Sequence, residues 1–122
     1  HAIVEADKTR ILQLLDNILM NAVHYAQCST ISLTASNVEI KSQPYLEMTI
    51  EDNGVGVDKA HLSHLFEYLY RVDSARNRQE GGSGLGLSIC QHIVKGHQGE
   101  ITAEKASLGG LAIIIRLPLI KV

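Results

Sequence analysis

The chain has 122 residues, the size of one compact domain, and 45% of them are apolar, enough to fill a single core. The formal net charge is −2, with one Phe and no Trp, which excludes the basic footprint and the base-stacking aromatics of a nucleic-acid binder. Cys28 and Cys90 are the two cysteines; their separation matches no metal-ligand spacing and reads as two buried free thiols in a reducing setting. No signal peptide is visible, and no apolar run reaches the ~18 residues of a membrane-spanning helix. The chain opens on His1 rather than Met, as expected of a piece of a longer protein.

Residues 2–5 predict a short opening strand, and Asp7 an N-cap. Over residues 10–25 the apolar positions Ile11, Leu12, Leu14, Leu15, Ile18, Leu19, Ala22 and Val23 keep a helical period. Ile31, Leu33 and Ala35 alternate with Ser32, Thr34 and Ser36, as in a half-buried strand. Residues 41–44 read as a polar turn and residues 45–51 alternate again, so the pair predicts an antiparallel hairpin. Residues 58–70 have helical character. Residues 73–83 are polar, glycine-rich and aperiodic, and read as a loop. Residues 85–94 predict another helix, with Gly99 at its C-terminal cap. Residues 100–105 and 111–117 predict a closing hairpin, turned at Gly109-Gly110. There is no internal repeat. The order predicts one α+β domain over residues 1–122, a two-layer sandwich with three helices on one face of a mixed five-stranded sheet.

Four features carry chemistry. Asp52-Asn53-Gly54-Val55-Gly56 follows a strand directly. Its two glycines allow close approach of a flat ligand, and its carboxylate can accept from an exocyclic amine; the plain alternative is a strand-ending turn. Gly81-Gly82-Ser83-Gly84-Leu85-Gly86-Leu87 opens a helix. Such glycines each cost up to ~1 kcal/mol of helix propensity, and backbone N–H groups at a helix start suit phosphate. The run is not a Walker A loop, since the Lys-Ser/Thr pair is missing, and no apolar strand leads into it as in a Rossmann turn; a flexible hinge is the alternative. Asn17 and Asn21 share one helix face, and an Asn oxygen can ligate Mg²⁺, although an Asn can equally face solvent or fix a helix by hydrogen bonds. Arg71, Arg76 and Arg78 suit phosphate through their planar forks, or form a solvated loop.

These pieces, in this order, resemble the GHKL nucleotide-binding superfamily over nearly the whole chain. Residues 17–22 (Asn-Ile-Leu-Met-Asn-Ala) resemble its N box, residues 52–56 its G1 box, residues 65–71 its F box and residues 82–87 its G2 box. Gly109-Gly110 with residues 116–119 resembles its usual ending. The superfamily includes DNA gyrase, a mismatch-repair ATPase, a heat-shock chaperone and anti-sigma-factor kinases. The F box and the Gly-Leu-Gly-Leu run are most similar to the catalytic, ATP-binding domain of sensor histidine kinases, within which residues 73–78 (Asp-Ser-Ala-Arg-Asn-Arg) and the run over residues 81–87 resemble bacterial envelope-stress sensors.

The resemblance implies a Bergerat fold that binds ATP or ADP with Mg²⁺. Asp52 would take the adenine amine, with Gly54, Gly56 and Val57 shaping that pocket. Asn21 would ligate Mg²⁺ between the phosphates, with Asn17, His24 and Tyr25 beside them. Ser83, Gly84, Leu85, Gly86 and Leu87 would cap the phosphates, and Tyr70, Arg71 and Arg76 would approach from the lid. Two positions depart from the pattern: His24 stands where a Lys or Arg often touches phosphate, and Leu69 where a second Phe is usual. None of the six histidines has the acidic neighbour expected of a phosphoacceptor. The acceptor and its base are therefore expected on an upstream helical domain, with no catalytic residue in this chain. Further implied are a response-regulator partner, no nucleic acid, and a cytoplasmic location in a bacterial inner-membrane sensor, tied to the membrane only through other segments. An anti-sigma-type serine kinase and a non-catalytic docking module are the competing readings.

Overall fold

The computed structural model of the protein describes residues 3–25, 29–67 and 86–120, leaving aside the side chain of Tyr25. In chain order the elements are α1 (Lys8–Tyr25), β1 (Ile31–Ile40), β2 (Gln43–Asp52), α2 (Lys59–Leu62), α3 (Gly86–Gly96), β3 (Glu100–Lys105) and β4 (Leu111–Pro118). Cys28 and the glycine-rich loop, including Tyr70, Arg71, Arg76, Arg78, Ser83, Gly84 and Leu85, lie outside the described residues.

Asp7 caps α1 as expected. Its Oδ1 accepts the Arg10 N–H at 3.2 Å and its carbonyl accepts the Ile11 N–H at 2.9 Å, satisfying donors that a helix start leaves open. Leu14, Ile18 and Ala22, each four residues apart, form the buried stripe of α1. It packs beside α3, whose Cys90, Ile93 and Val94 are buried at positions i, i+3 and i+4 of one helix face.

The sheet runs β1-β2-β4-β3, with every neighbouring pair antiparallel. Register sorts its faces. Ile50 pairs with Ile113 and that with Ala103, the core-facing row; Glu47 pairs with Arg116 and that with Glu100, an ionic row on the other face. Arg116 Nε donates to Glu47 at 2.7 Å, and Glu100 lies 3.5 Å from the other guanidinium branch. Glu47 holds the guanidinium pKa above its ordinary value. Lys41 and Ser42, both at positive φ (51° and 68°), make the two-residue turn between β1 and β2. Two positive φ values match the right-handed twist of the hairpin; Gln43 and Pro44, expected in the turn, belong to β2.

Three expectations need correction. The sheet has four strands among the described residues, all antiparallel, where a mixed five-stranded sheet was expected. Residues 3–7 form no strand: one backbone bond, Ile120 N–H to Ile3 O at 2.8 Å, ties them to the end of the chain, and one bond makes no ladder. Second, the helix expected over residues 58–70 stops at Leu62. Beyond it the bonds close every third residue, His64 N–H to His61 O and Glu67 N–H to His64 O, a tighter winding that seldom continues. Its turns still bury Leu65 and Phe66.

Third, Gly99 is not the left-handed residue after α3. That conformation belongs to Gln98, at φ 62°. The Gln98 N–H reaches Lys95 O and the Gly99 N–H reaches Val94 O, both at 2.9 Å, the bond pair of a Schellman ending. Position 99 needs glycine for space: a Cβ there would lie 2.4 Å from the Arg116 carbonyl oxygen of β4.

Candidate functional site

Asp52 ends β2 and is 4% exposed, a buried carboxylate at the rim of the sheet. Such a group must be hydrogen-bonded. Its Oδ1 accepts the Gly54 N–H at 2.9 Å and the Leu111 N–H at 3.2 Å. Its carbonyl oxygen accepts the Gly110 N–H at 3.1 Å. Among the described residues Oδ2 has no hydrogen-bond partner, so it is the acceptor the carboxylate has left.

The turn after Asp52 is held from the other side by Asn53. Its amide oxygen accepts from the Ser29 and Thr30 N–H groups, each at 3.0 Å, and its amide nitrogen donates to the Ser29 hydroxyl at 3.0 Å. Gly56 has φ 72°, and a Cβ there would sit 3.3 Å from the Gly109 carbonyl. The two glycine turns therefore pack closely.

Asp52 lines a cavity of about 480 Å³, open mouth included, between α1 and the sheet. Ile18, Ile31, Ile50, Val57, Leu111 and Ile113 supply apolar walls, Asn21 stands on the α1 side, and Glu51 adds a second, partly exposed carboxylate beside Asp52. The apolar lining and the buried carboxylate suit a flat, mostly apolar ligand with one donor edge.

The structure thus brings Asn21, Asp52, Gly56 and Val57 together around one cavity, with Gly54 bonded to Asp52. Asn17 lies elsewhere. Its amide nitrogen donates to the Gly86 carbonyl at 3.5 Å, and its side chain lowers the Cys90 thiol pKa. It joins α1 to the start of α3, the helix-fixing role open to it from sequence. Cys90 is fully buried, as expected of a free thiol, and its sulfur donates to the Leu14 carbonyl at 3.7 Å. Burial pushes its thiol up to about 12, against the opposing Asn17 bond. His24 is exposed on the last turn of α1. Leu87 packs against the core.

Sequence reasoning missed Gly110 and the Leu111 amide. The Gly-Gly pair was a visible signal, but it read as a hairpin turn and as part of the superfamily's usual ending, not as a partner of Asp52. No cluster of three or more His, Cys, Asp or Glu side chains capable of holding a metal occurs among the described residues.

Residues 6–121 match the family model described as the histidine kinase-, DNA gyrase B-, and HSP90-like ATPase. The chain belongs to this ATPase family. The signal transduction histidine-protein kinase BaeS of Escherichia coli (strain K12) is 38% identical over 116 residues, 95% of this chain and 24% of that protein. The sensor histidine kinase WalK of Bacillus subtilis (strain 168) is 37% identical over 115 residues, 94% of this chain and 19% of that protein. Full-length ShkA, solved in complex with AMPPNP, superposes with a TM-score of 0.75 at 27% identity, over 98% of this chain and 23% of that one. The chain thus spans a quarter or less of the length of these relatives. Its four-stranded sheet under α1 and α3 is the ATPase fold of the GHKL superfamily, in the form found in sensor histidine kinases.

Proposed function

We propose that the cavity ending at Asp52 takes the adenine of ATP or ADP, and that the chain donates the γ-phosphoryl of ATP to a histidine on an upstream helical domain. The carrying observation is the division of labour between the Asp52 oxygens. Oδ1 is occupied by two backbone amides, Oδ2 has no hydrogen-bond partner among the described residues, and the residue lines a mostly apolar cavity. The 6-amino group of adenine is a donor on a flat apolar ring, which matches that pairing of one acceptor with greasy walls. Each Å² of apolar ring removed from water adds roughly 25 cal/mol.

Asn21 fits a Mg²⁺ role. It lines the same cavity, and an amide oxygen is a hard donor of the kind Mg²⁺ accepts alongside waters and phosphate oxygens. When bound, the ion would neutralise phosphate charge during transfer. The chain's own part is positional: Asp52 and the apolar walls hold the base, the Asn17 bond to Gly86 ties α3 to α1, and the glycine run before Gly86 would hold phosphate.

In the transfer, an imidazole nitrogen of the acceptor forms a bond to Pγ while the Pγ–O bond to the β-phosphate breaks. ADP leaves with that electron pair, and the imidazole proton passes to an acidic base beside the acceptor. His97 is unsuited to be that acceptor, since both ring nitrogens are engaged, one with Ile93 O at 2.8 Å and the other with Asp7 N–H at 3.0 Å. The whole protein would relay the phosphoryl group to a response-regulator aspartate from the cytoplasmic side of a bacterial inner membrane. No described helix is long and apolar enough to cross a membrane. Family membership, the kinase relatives and the AMPPNP complex of ShkA support this reading.

Thermal unfolding with ATP and Mg²⁺ tests it. A concentration-dependent rise in Tm is expected; no shift at millimolar nucleotide sinks the proposal.

A further inference from the structure

We propose that Gly110 and the Leu111 amide, at the end of the β3–β4 turn, are positioning elements that orient the Asp52 carboxylate and so set base selectivity. The inference rests on the reading of Asp52 as the adenine acceptor and names what makes it selective.

The two glycines of the turn have separate roles. Gly109 has φ 104°, and a Cβ there would meet nothing within 4 Å; it is glycine for its backbone conformation. Gly110 is glycine for space. A Cβ at 110 would lie 1.9 Å from Asp52 Oδ1, 2.6 Å from Asp52 O and 2.7 Å from Gly54 N. Two of these three are backbone atoms. The third cannot simply swing aside, because the Gly54 and Leu111 amides tether it.

The turn itself is clasped onto the end of β2. Ala106 N–H donates to Gly110 O at 2.9 Å, and Gly109 N–H to Ala106 O at 3.0 Å. The Ser107 hydroxyl donates to Glu51 at 2.9 Å, and the Gly110 N–H to Asp52 O at 3.1 Å. The clasp holds Oδ1 on two amides, and with Asp52 read as the adenine acceptor Oδ2 is the oxygen left for the ligand. A 6-amino purine offers a donor to that oxygen. A 6-oxo purine offers an acceptor, and two acceptors face each other unpaired.

The test is calorimetric titration of the full chain with ATP and with ITP, both with Mg²⁺, on wild type, Gly110→Ala and Gly109→Asn. Wild type should prefer ATP. Gly110→Ala should lose roughly ten- to hundredfold in ATP affinity, the scale of a lost buried hydrogen bond, while ITP affinity changes little, so the ATP/ITP ratio collapses. Gly109→Asn should keep the ratio even where it costs stability. Should Gly110→Ala fail to fold, a second variant exchanges the Leu111 amide for an ester, removing the donor without adding bulk. It is accessible by ligating a synthetic 90–122 segment at Cys90, and the same collapse is expected. An ATP/ITP ratio within twofold of wild type in folded Gly110→Ala, or in the ester variant, overturns this inference while leaving the adenine reading intact. Wild type that binds neither nucleotide overturns both.

Discussion

The Leu111 amide donates to Asp52 Oδ1 at 3.2 Å across 59 residues of sequence. Sheet register makes this possible: Glu51 pairs with Ala112, so the end of β2 and the start of β4 are neighbours. The carboxylate is therefore a product of the sheet as much as of its own turn. Anything that shifts β4 against β2 moves the acceptor.

Gly99 is one point where β4 can be shifted. Gly99→Ala should cost at least about 2 kcal/mol, because its Cβ meets the Arg116 carbonyl at 2.4 Å and overpacking against backbone is not relieved by a rotamer. Gly96→Ala, with nothing within 4 Å of the new Cβ, should be neutral or stabilise by up to ~1 kcal/mol. Urea unfolding of the two variants checks the contrast.

His97 ties the start of α1 to the end of α3. Nδ1–H donates to Ile93 O at 2.8 Å and Nε2 accepts the Asp7 N–H at 3.0 Å, an arrangement that needs the neutral ring. His97→Ala should cost about 1 kcal/mol and raise hydrogen exchange at Asp7 and the first turn of α1. Unchanged exchange there would show that the ring is not a tie.

Cys90 gives a pH dependence. Its thiol is raised from 9.0 to about 12, chiefly by burial. The unfolded chain sheds this proton first, so stability is full below the unfolded value and falls as pH rises from about 9 toward about 12. The slope approaches roughly 1 kcal/mol per pH unit. In a Cys28→Ser background, Cys90→Ala should be less stable at neutral pH through lost packing, yet flatter across the alkaline window. Denaturant midpoints measured between pH 8 and 11 test the sign.

Asn21 is expected to act through the metal. In wild type, ATP should bind more tightly with Mg²⁺ than with EDTA. Asn21→Ala should shrink that difference about tenfold and leave binding in EDTA nearly unchanged, as loss of one Mg²⁺ ligand would. Calorimetry under the two conditions separates this from general damage to the cavity, which would lower both.

Local pattern carried the elements whose partners lie close in sequence. The period of Leu14, Ile18 and Ala22 marks α1, the alternation through Ile31 and Leu33 marks β1, and Asp52 to Gly56 lies at a strand end as its composition implied. What was not legible depended on distant contacts. Residues 2–5 look like a strand, but residue 3 finds a single backbone partner, Ile120. Gly99 looks like a helix cap, but what excludes a side chain there is the Arg116 carbonyl on another strand. For Asn17 the sequence left a helix-fixing role open beside a ligand role, and its bond to Gly86, 69 residues away, is the contact it could not name. Gly110 meets Asp52 only after β2 and β4 have paired, and no periodicity or motif spacing records that meeting.

The central claim is that Asp52 presents a single acceptor to a donor edge, and Asp52→Asn tests it most directly. Two amide donors converge on Oδ1, so the variant's amide oxygen should take that place and its –NH₂ should face the cavity. The donor–acceptor sense of the site then reverses. In titrations with Mg²⁺, wild type should bind ATP over ITP; Asp52→Asn should lose ATP by roughly ten- to hundredfold and gain relative preference for ITP. Unchanged ATP affinity and unchanged preference in the folded variant would contradict the account.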